Sequence, residues 1–249
     1  MYRTLVGRLV LTLCALCFCI SPLQGVHRAV LGRQTQRVVY LTFDDGPSRV
    51  TAEVLNMLRT ENVRGTFFVV GNDTEQGIFL YNRILDEGHA LGLHSYSHKS
   101  YEVYRSLQNF KADFARLNEW IIRQTDEQVK ICRMVGGSNS ADCPAIVREE
   151  ILTYLVDAGY ACYDWDIDSK DSGRYALSAK QIAQNVIAAA KKLPDRDLIV
   201  LLHDDAIRGT LSDALPLIIR YFQEQDYSFG VLREDTESIK RILPKKYRG

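Results

Sequence analysis

Two adjacent carboxylates, Asp44 and Asp45, stand in Thr42-Phe43-Asp44-Asp45-Gly46-Pro47, where a β-branched and aromatic run opens into turn residues. Neighbouring side chains at a strand end point in different directions, so the two acids are expected to have different partners. One can bind a cation while the other accepts a proton. Alone, the hexapeptide fits an Asp-Gly turn with two solvated acids equally well. His94 and His98, in His94-Ser95-Tyr96-Ser97-His98, change that balance. A His pair at this spacing can ligate one metal ion from one turn of backbone, and imidazole suits zinc and other first-row divalent ions such as cobalt. Asp45 is the natural third ligand. Two His and one carboxylate leave positions open for water and substrate, as a catalytic centre does and a closed structural one does not.

A cation held there would lower the pKa of its water to roughly 7 and polarise a carbonyl oxygen. Asp44 is then expected to take the proton from that water, with Arg133 fixing its orientation and keeping it ionised. His203 is placed to protonate a leaving amine, with Asp171 as its orienting carboxylate. Backbone N–H groups at Gly136 and Gly137 could join the metal in holding an oxyanion. The chemistry described is metal-assisted hydrolysis of an amide or ester. No cysteine stands in these segments, and Ser95 and Ser97 lie between histidines assigned to the metal, so a nucleophilic mechanism finds no support. His27 and His89 join no cluster and read as structural histidines.

Such residues need elements that end on one face. Strands are predicted at Arg37 to Phe43, Gly65 to Gly71, His89 to His94, Val129 to Met134, Tyr160 to Ile167, Asp197 to His203 and Tyr227 to Leu232. Between them, helical spacing predicts helices at Thr51 to Arg59, Gln76 to Glu87, Ser106 to Gln124, Pro144 to Ala158, Ser178 to Lys192 and Leu211 to Gln225. Continuous apolar strands alternating with helices imply an α/β fold with a parallel sheet, and about seven units favour a barrel over an open sheet. Ligands bind at the strand C-termini in such folds. That is where Asp44, His94, Arg133, Asp168, Asp171 and His203 fall.

The 249 residues suit one substantial core, and Lys+Arg balances Asp+Glu at 31 each, which argues against general nucleic-acid binding. Arg3 and Arg8 precede Leu9 to Ile20, apolar apart from Thr12, and Ser21-Pro22 breaks the run. This describes a signal peptide or N-terminal membrane anchor over residues 1–25, and therefore export. Residues 26–36 read as a linker, 37–232 as the catalytic domain and 233–249 as a basic, solvated tail. Of six cysteines, Cys14, Cys17 and Cys19 lie in the apolar run. Cys132 and Cys143 bracket a loop and could close it as a disulfide; free thiols are the alternative.

With these segments in this order, the chain resembles the polysaccharide deacetylases, the NodB-homology carbohydrate esterases of family 4. Thr42-Phe43-Asp44-Asp45 is similar to that family's first motif, with its catalytic base and then a metal ligand. His94-Ser95-Tyr96-Ser97-His98 is similar to the second, which supplies two more ligands, and Leu201-Leu202-His203 to the fifth, which supplies the general acid. The third motif usually has Pro where Val135 stands, and Gly136 keeps the backbone N–H used there. The fourth usually ends in Trp where Ser172 stands, which alters the substrate groove; Tyr175 or Tyr163 could supply an aromatic wall. The resemblance implies a distorted (β/α)7-type barrel and removal of N-acetyl groups from a glycan. An exported or anchored enzyme would meet peptidoglycan first, with chitin-like polymers the other option, and would touch membrane only through its N-terminal segment. A glycan-binding pseudoenzyme that keeps the metal site and an O-acetyl esterase are the alternatives. Oligomeric state is left open.

Overall fold

The structure, a computed structural model, describes residues 36–173, 175–205, 210–236 and 242–247. The expected leader, most of the linker, His27 and the first three cysteines lie outside the described residues. Among the described residues no helix is long and apolar enough to cross a membrane.

Eight parallel strands form one sheet, and helices cover it. The central strand β1 (Val38–Asp44) is buried over its last six residues, because parallel strands carry helices on both faces. One edge of β1 pairs with β7 (Leu198–His203) from Val39 to Asp44. Its other edge is shared: Val38 to Tyr40 pairs with β8 (Ser228–Gly230), and Thr42 to Asp44 with β2 (Thr66–Val70). From β2 the sheet continues through β3 (Ala90–Ser95) and β4 (Ile131–Cys132) to β5 (Ala161–Cys162). Beyond β7 it ends at β6 (Ile167–Asp168).

The two ends of this sheet belong to one stretch of chain, and that closes the barrel. The expected strand Tyr160 to Ile167 is instead two. Ala161 and Tyr163 donate N–H groups to Lys130 O and Cys132 O on the β4 side, at 2.9 and 3.0 Å. Asp166 and Ser169 donate to Ile199 O and Leu201 O of β7, at 3.0 and 3.2 Å. The ring is thus completed by a bend at Asp164-Trp165 instead of by a ladder, which is the distortion anticipated.

The helices are α1 (Arg49–Thr60), α2 (Glu75–Asp86), α3 (Ser100–Val103), α4 (Leu107–Thr125), α5 (Ala145–Asp157), α6 (Ala179–Ala190) and α7 (Leu211–Glu224). Ser48, Thr74, Ser106 and Ser178 cap α1, α2, α4 and α6 by accepting a first-turn N–H. Phe110, Phe114, Leu117 and Ile121 of α4 are buried at the predicted helical spacing, in the core. The short α3 has too few residues for a periodic signal and was not expected.

Cys132, Cys143 and Cys162 are buried free thiols, so the Cys132–Cys143 disulfide is not formed. Cys132 instead faces Cys162 in register across β4 and β5. In the C-terminal stretch Lys245, Lys246 and Tyr247 are exposed, while Ile242 packs against the core. Ile242 N–H donates to Cys162 O at 2.9 Å, covering the outer edge of β5.

Candidate active site

The C-terminal ends of β1, β3, β4 and β7 bring the expected residues together. Arg133 follows β4 directly and is the largest fully buried side chain, 1 % exposed. Its Nη1 donates to Asp44 Oδ1 and to Thr42 Oγ1, both at 2.8 Å. Its Nε donates to Tyr163 O at 3.0 Å and its Nη2 to Asp164 O at 3.1 Å. The guanidinium also lies 4.2 Å from the centroid of the Phe68 ring. A buried cation is tolerable only with this degree of pairing. Asp44, 3 % exposed, is held by Oδ1 while Oδ2 faces His94, 3.9 Å from Nε2.

Asp45, His94 and His98 form the one cluster of three or more His, Cys, Asp or Glu among the described residues that could hold a metal, with ligand atoms within 4.8 Å of one another. Asp45 Oδ1 lies 3.3 Å from His94 Nε2 and 2.9 Å from His98 Nε2, and it is buried without a hydrogen bond. A buried carboxylate oxygen with no donor, facing two imidazole nitrogens, is what a cation between them would satisfy. His94 Nδ1 lies 2.8 Å from Arg133 O and, as the donor there, leaves Nε2 with the lone pair a metal needs. The donor set fits a divalent ion. Burial opposes ionisation of Asp45, and the His94 and His98 imidazoles overcome it, holding the carboxyl well below the usual range. Asp45 and His98 both take left-handed backbone, at φ 77° and 56°, uncommon for non-glycine residues.

Asp113 of α4 fixes the loop between these histidines. Its carboxylate accepts Ser95 Oγ and Tyr96 N–H at 2.7 and 2.8 Å, and Ser97 N–H at 2.9 Å. Sequence reasoning passed over Asp113, although an acid beside Phe110 and Phe114 on the apolar stripe of α4 was a signal that a buried partner waits there.

His203 pairs with Asp44 in the β1–β7 register. Its Nδ1 lies 2.7 Å from Asp171 Oδ1, and its N–H donates to Asp171 Oδ2 at 2.9 Å. Burial lowers the His203 pKa, but the Asp171 hydrogen bond and charge, with Asp44 and Asp45, raise it to about 9. Asp168 stays outside the site, bonded to Lys170 at 2.7 Å.

The glycine pair divides. Gly137 N–H donates to Met134 O at 2.8 Å inside a turn, so the expected oxyanion role cannot use it freely. Gly136 N–H has no partner among the described residues. Both glycines have left-handed φ, and a Cβ on Gly137 would lie 2.9 Å from Trp165. Of the two candidate aromatic walls, Tyr163 is fully buried and donates its hydroxyl to Arg233 O. Tyr175 is 78 % exposed. Also unforeseen was Asp164, which accepts Ser138 N–H and Oγ–H at 2.8 and 2.5 Å.

A parallel barrel carrying an Arg-clamped carboxylate, a two-His, one-Asp cluster and a His–Asp pair at one end defines a hydrolase with a candidate metal centre. A family model described as polysaccharide deacetylase matches residues 32–155. The peptidoglycan-N-acetylglucosamine deacetylase of Bacillus cereus is 31 % identical over 211 residues, 81 % of this chain and 71 % of the relative. The catalytic domain of the peptidoglycan N-acetylglucosamine deacetylase of Eubacterium rectale superposes with a TM-score of 0.74 at 32 % identity, covering 83 % of this chain and 92 % of that one. A family 4 acetyl xylan esterase of Clostridium thermocellum, solved with cobalt, gives 0.65 at 27 % identity over 78 % of this chain and 88 % of that one. The chain belongs to the polysaccharide deacetylase family and is an enzyme of that hydrolytic class.

Proposed function

We propose that this chain is a divalent-metal-dependent N-deacetylase acting on N-acetylglucosamine-type residues of a cell-wall polysaccharide, peptidoglycan first. The carrying observation is the convergence of three units at one barrel end: Arg133–Asp44, Asp45–His94–His98 and Asp171–His203. A divalent cation held by Asp45, His94 and His98, zinc or cobalt by their chemistry, supplies Lewis acidity toward the acetyl carbonyl and an acidified water. Asp44 accepts the proton of the attacking water on Oδ2, because Arg133 holds Oδ1. Arg133 keeps that carboxylate ionised and fixed in direction. His203 carries a proton on the nitrogen not bound to Asp171 and delivers it to the leaving amine as the C–N bond breaks. Acetate and a free amino sugar leave. Gly136 N–H assists at the oxyanion.

The polymer preference is supported by the names of the Bacillus cereus and Eubacterium rectale relatives. Export is supported by the basic and apolar residues of the N-terminus. The cobalt-containing relative is an esterase, which keeps an O-acetyl substrate as the second reading. The test is acetate release from peptidoglycan, N-acetylglucosamine oligomers and acetylated xylan by the full chain, loaded with zinc or cobalt or stripped by chelator. Metal-dependent release from the first two is expected. Release from xylan alone moves the assignment to the ester, and no release from any substrate refutes hydrolysis.

A further inference from the structure

Asp204 follows His203 but takes no part in the pairs described above. It is fully buried, its N–H donates to Asp44 O at 3.0 Å, and its side chain turns toward the loop after β1. Oδ1 accepts Gly46 N–H at 3.0 Å, and Oδ2 accepts the Thr51 hydroxyl at 2.5 Å. Its backbone O accepts Ser48 Oγ at 2.6 Å. The contact with Gly46 is so close that a Cβ there would collide with the carboxylate. On the opposite side, Asp45 N–H donates to Phe68 O and Val70 N–H to Gly46 O, at 3.2 and 2.8 Å.

Asp45 thus sits at φ 77° between two anchors, β2 on one side and Asp204 on the other. A non-glycine residue in that region is strained and persists only where its surroundings over-determine it. We infer that Asp204 is a positioning residue for the candidate metal centre: by clamping Gly46 and Thr51 it holds Asp45 in its left-handed conformation, with its carboxylate aimed at His94 and His98. This rests on the reading of Asp45, His94 and His98 as metal ligands. Asp204 acts through hydrogen bonds alone, so asparagine should replace it. Asn Oδ1 accepts Gly46 N–H, and Asn Nδ2 donates to Thr51 Oγ.

The test compares wild type, Asp204→Asn and Asp204→Ala as full chains. Amide hydrogen exchange is followed by NMR on metal-free protein, and zinc affinity is measured by chelator competition. In Asp204→Ala the Gly46 amide is expected to lose at least about tenfold in protection while Val200 to Leu202 keep theirs, since only the local clamp opens. Zinc affinity should fall about 10–100-fold, the range for loss of an outer partner of a ligand. Asp204→Asn should stay within about threefold of wild type in both. Unchanged Gly46 protection or zinc affinity in Asp204→Ala overturns the inference, and so does an Asp204→Asn as impaired as Asp204→Ala. Failure of wild type to bind zinc rejects the metal reading itself, whereas exchange at Gly46 still judges the clamp.

Discussion

Arg133 fixes the direction of the Asp44 carboxylate, the proposed base, and its four hydrogen bonds hold the guanidinium itself in place. Arg133→Met would leave Asp44 a buried, unpaired acid. Urea unfolding should show a loss of about 3–5 kcal/mol, the usual effect of breaking a buried pair on one side. Asp171 governs His203 in the same local way. Because Asp171 raises the His203 pKa, the protonated acid survives into alkaline solution, and activity should fall as pH climbs toward about 9. A bound cation adds positive charge, so the loaded enzyme's limb lies below that value. Asp171→Asn removes the raising partner. The alkaline limb of its kcat profile should move to lower pH, and an unmoved limb would exclude His203 as the acid. Among these residues, the ones legible in the sequence were those with a charge at a strand end. The acceptors on Tyr163 O, Arg133 O and Asp164 O are backbone atoms, and no residue type announces them.

Elements set the spacing that the side chains use. Strand β1 was legible because its run is apolar without interruption, and β7 for the same reason. β4 and β5 were located, but each is only two residues long, since the chain leaves the ladder to deliver Arg133 and the bend at Asp164-Trp165. No local pattern encodes a strand that begins beside β4 and ends beside β7. Helix α4 shows how an element can serve the site from behind. Its Asp113 ties three groups of the His94 to His98 loop. Asp113→Ala should lower zinc affinity about tenfold or more by chelator competition, with α4 itself intact by circular dichroism, because the loop loses its anchor and His94 and His98, the proposed ligands, lose their fixed direction.

At the scale of the whole molecule, the barrel's two ends behave differently. The C-terminal end concentrates charge for chemistry, while the N-terminal end buries His89 as a neutral strut, accepting Gly65 N–H on Nδ1 at 3.1 Å. Burial, opposed by Glu87 and aided by Arg64 and Arg83, pushes His89 down to about 4 from 6.5. A base with a depressed folded pKa contributes stability fully above its unfolded value and loses it as pH falls from 6.5 to 4. That loss amounts to about 3 kcal/mol in the fold as a whole. His89→Gln should flatten stability against pH across this window, by urea denaturation at each pH. The structural reading of His89 was available from its isolation in sequence; the neutral state was not, because it depends on packing.

We propose Asp44 as the proton acceptor at the candidate metal centre and not as a ligand. The most direct test is acetate release from N-acetylglucosamine oligomers by zinc-loaded Asp44→Asn, measured beside bound zinc in the same samples. If Asp44 has this role, the variant holds one zinc per chain, as wild type does, with the rate down by about 100-fold or more, the contribution of a positioned base. Acetate release at the wild-type rate with zinc in place would contradict it.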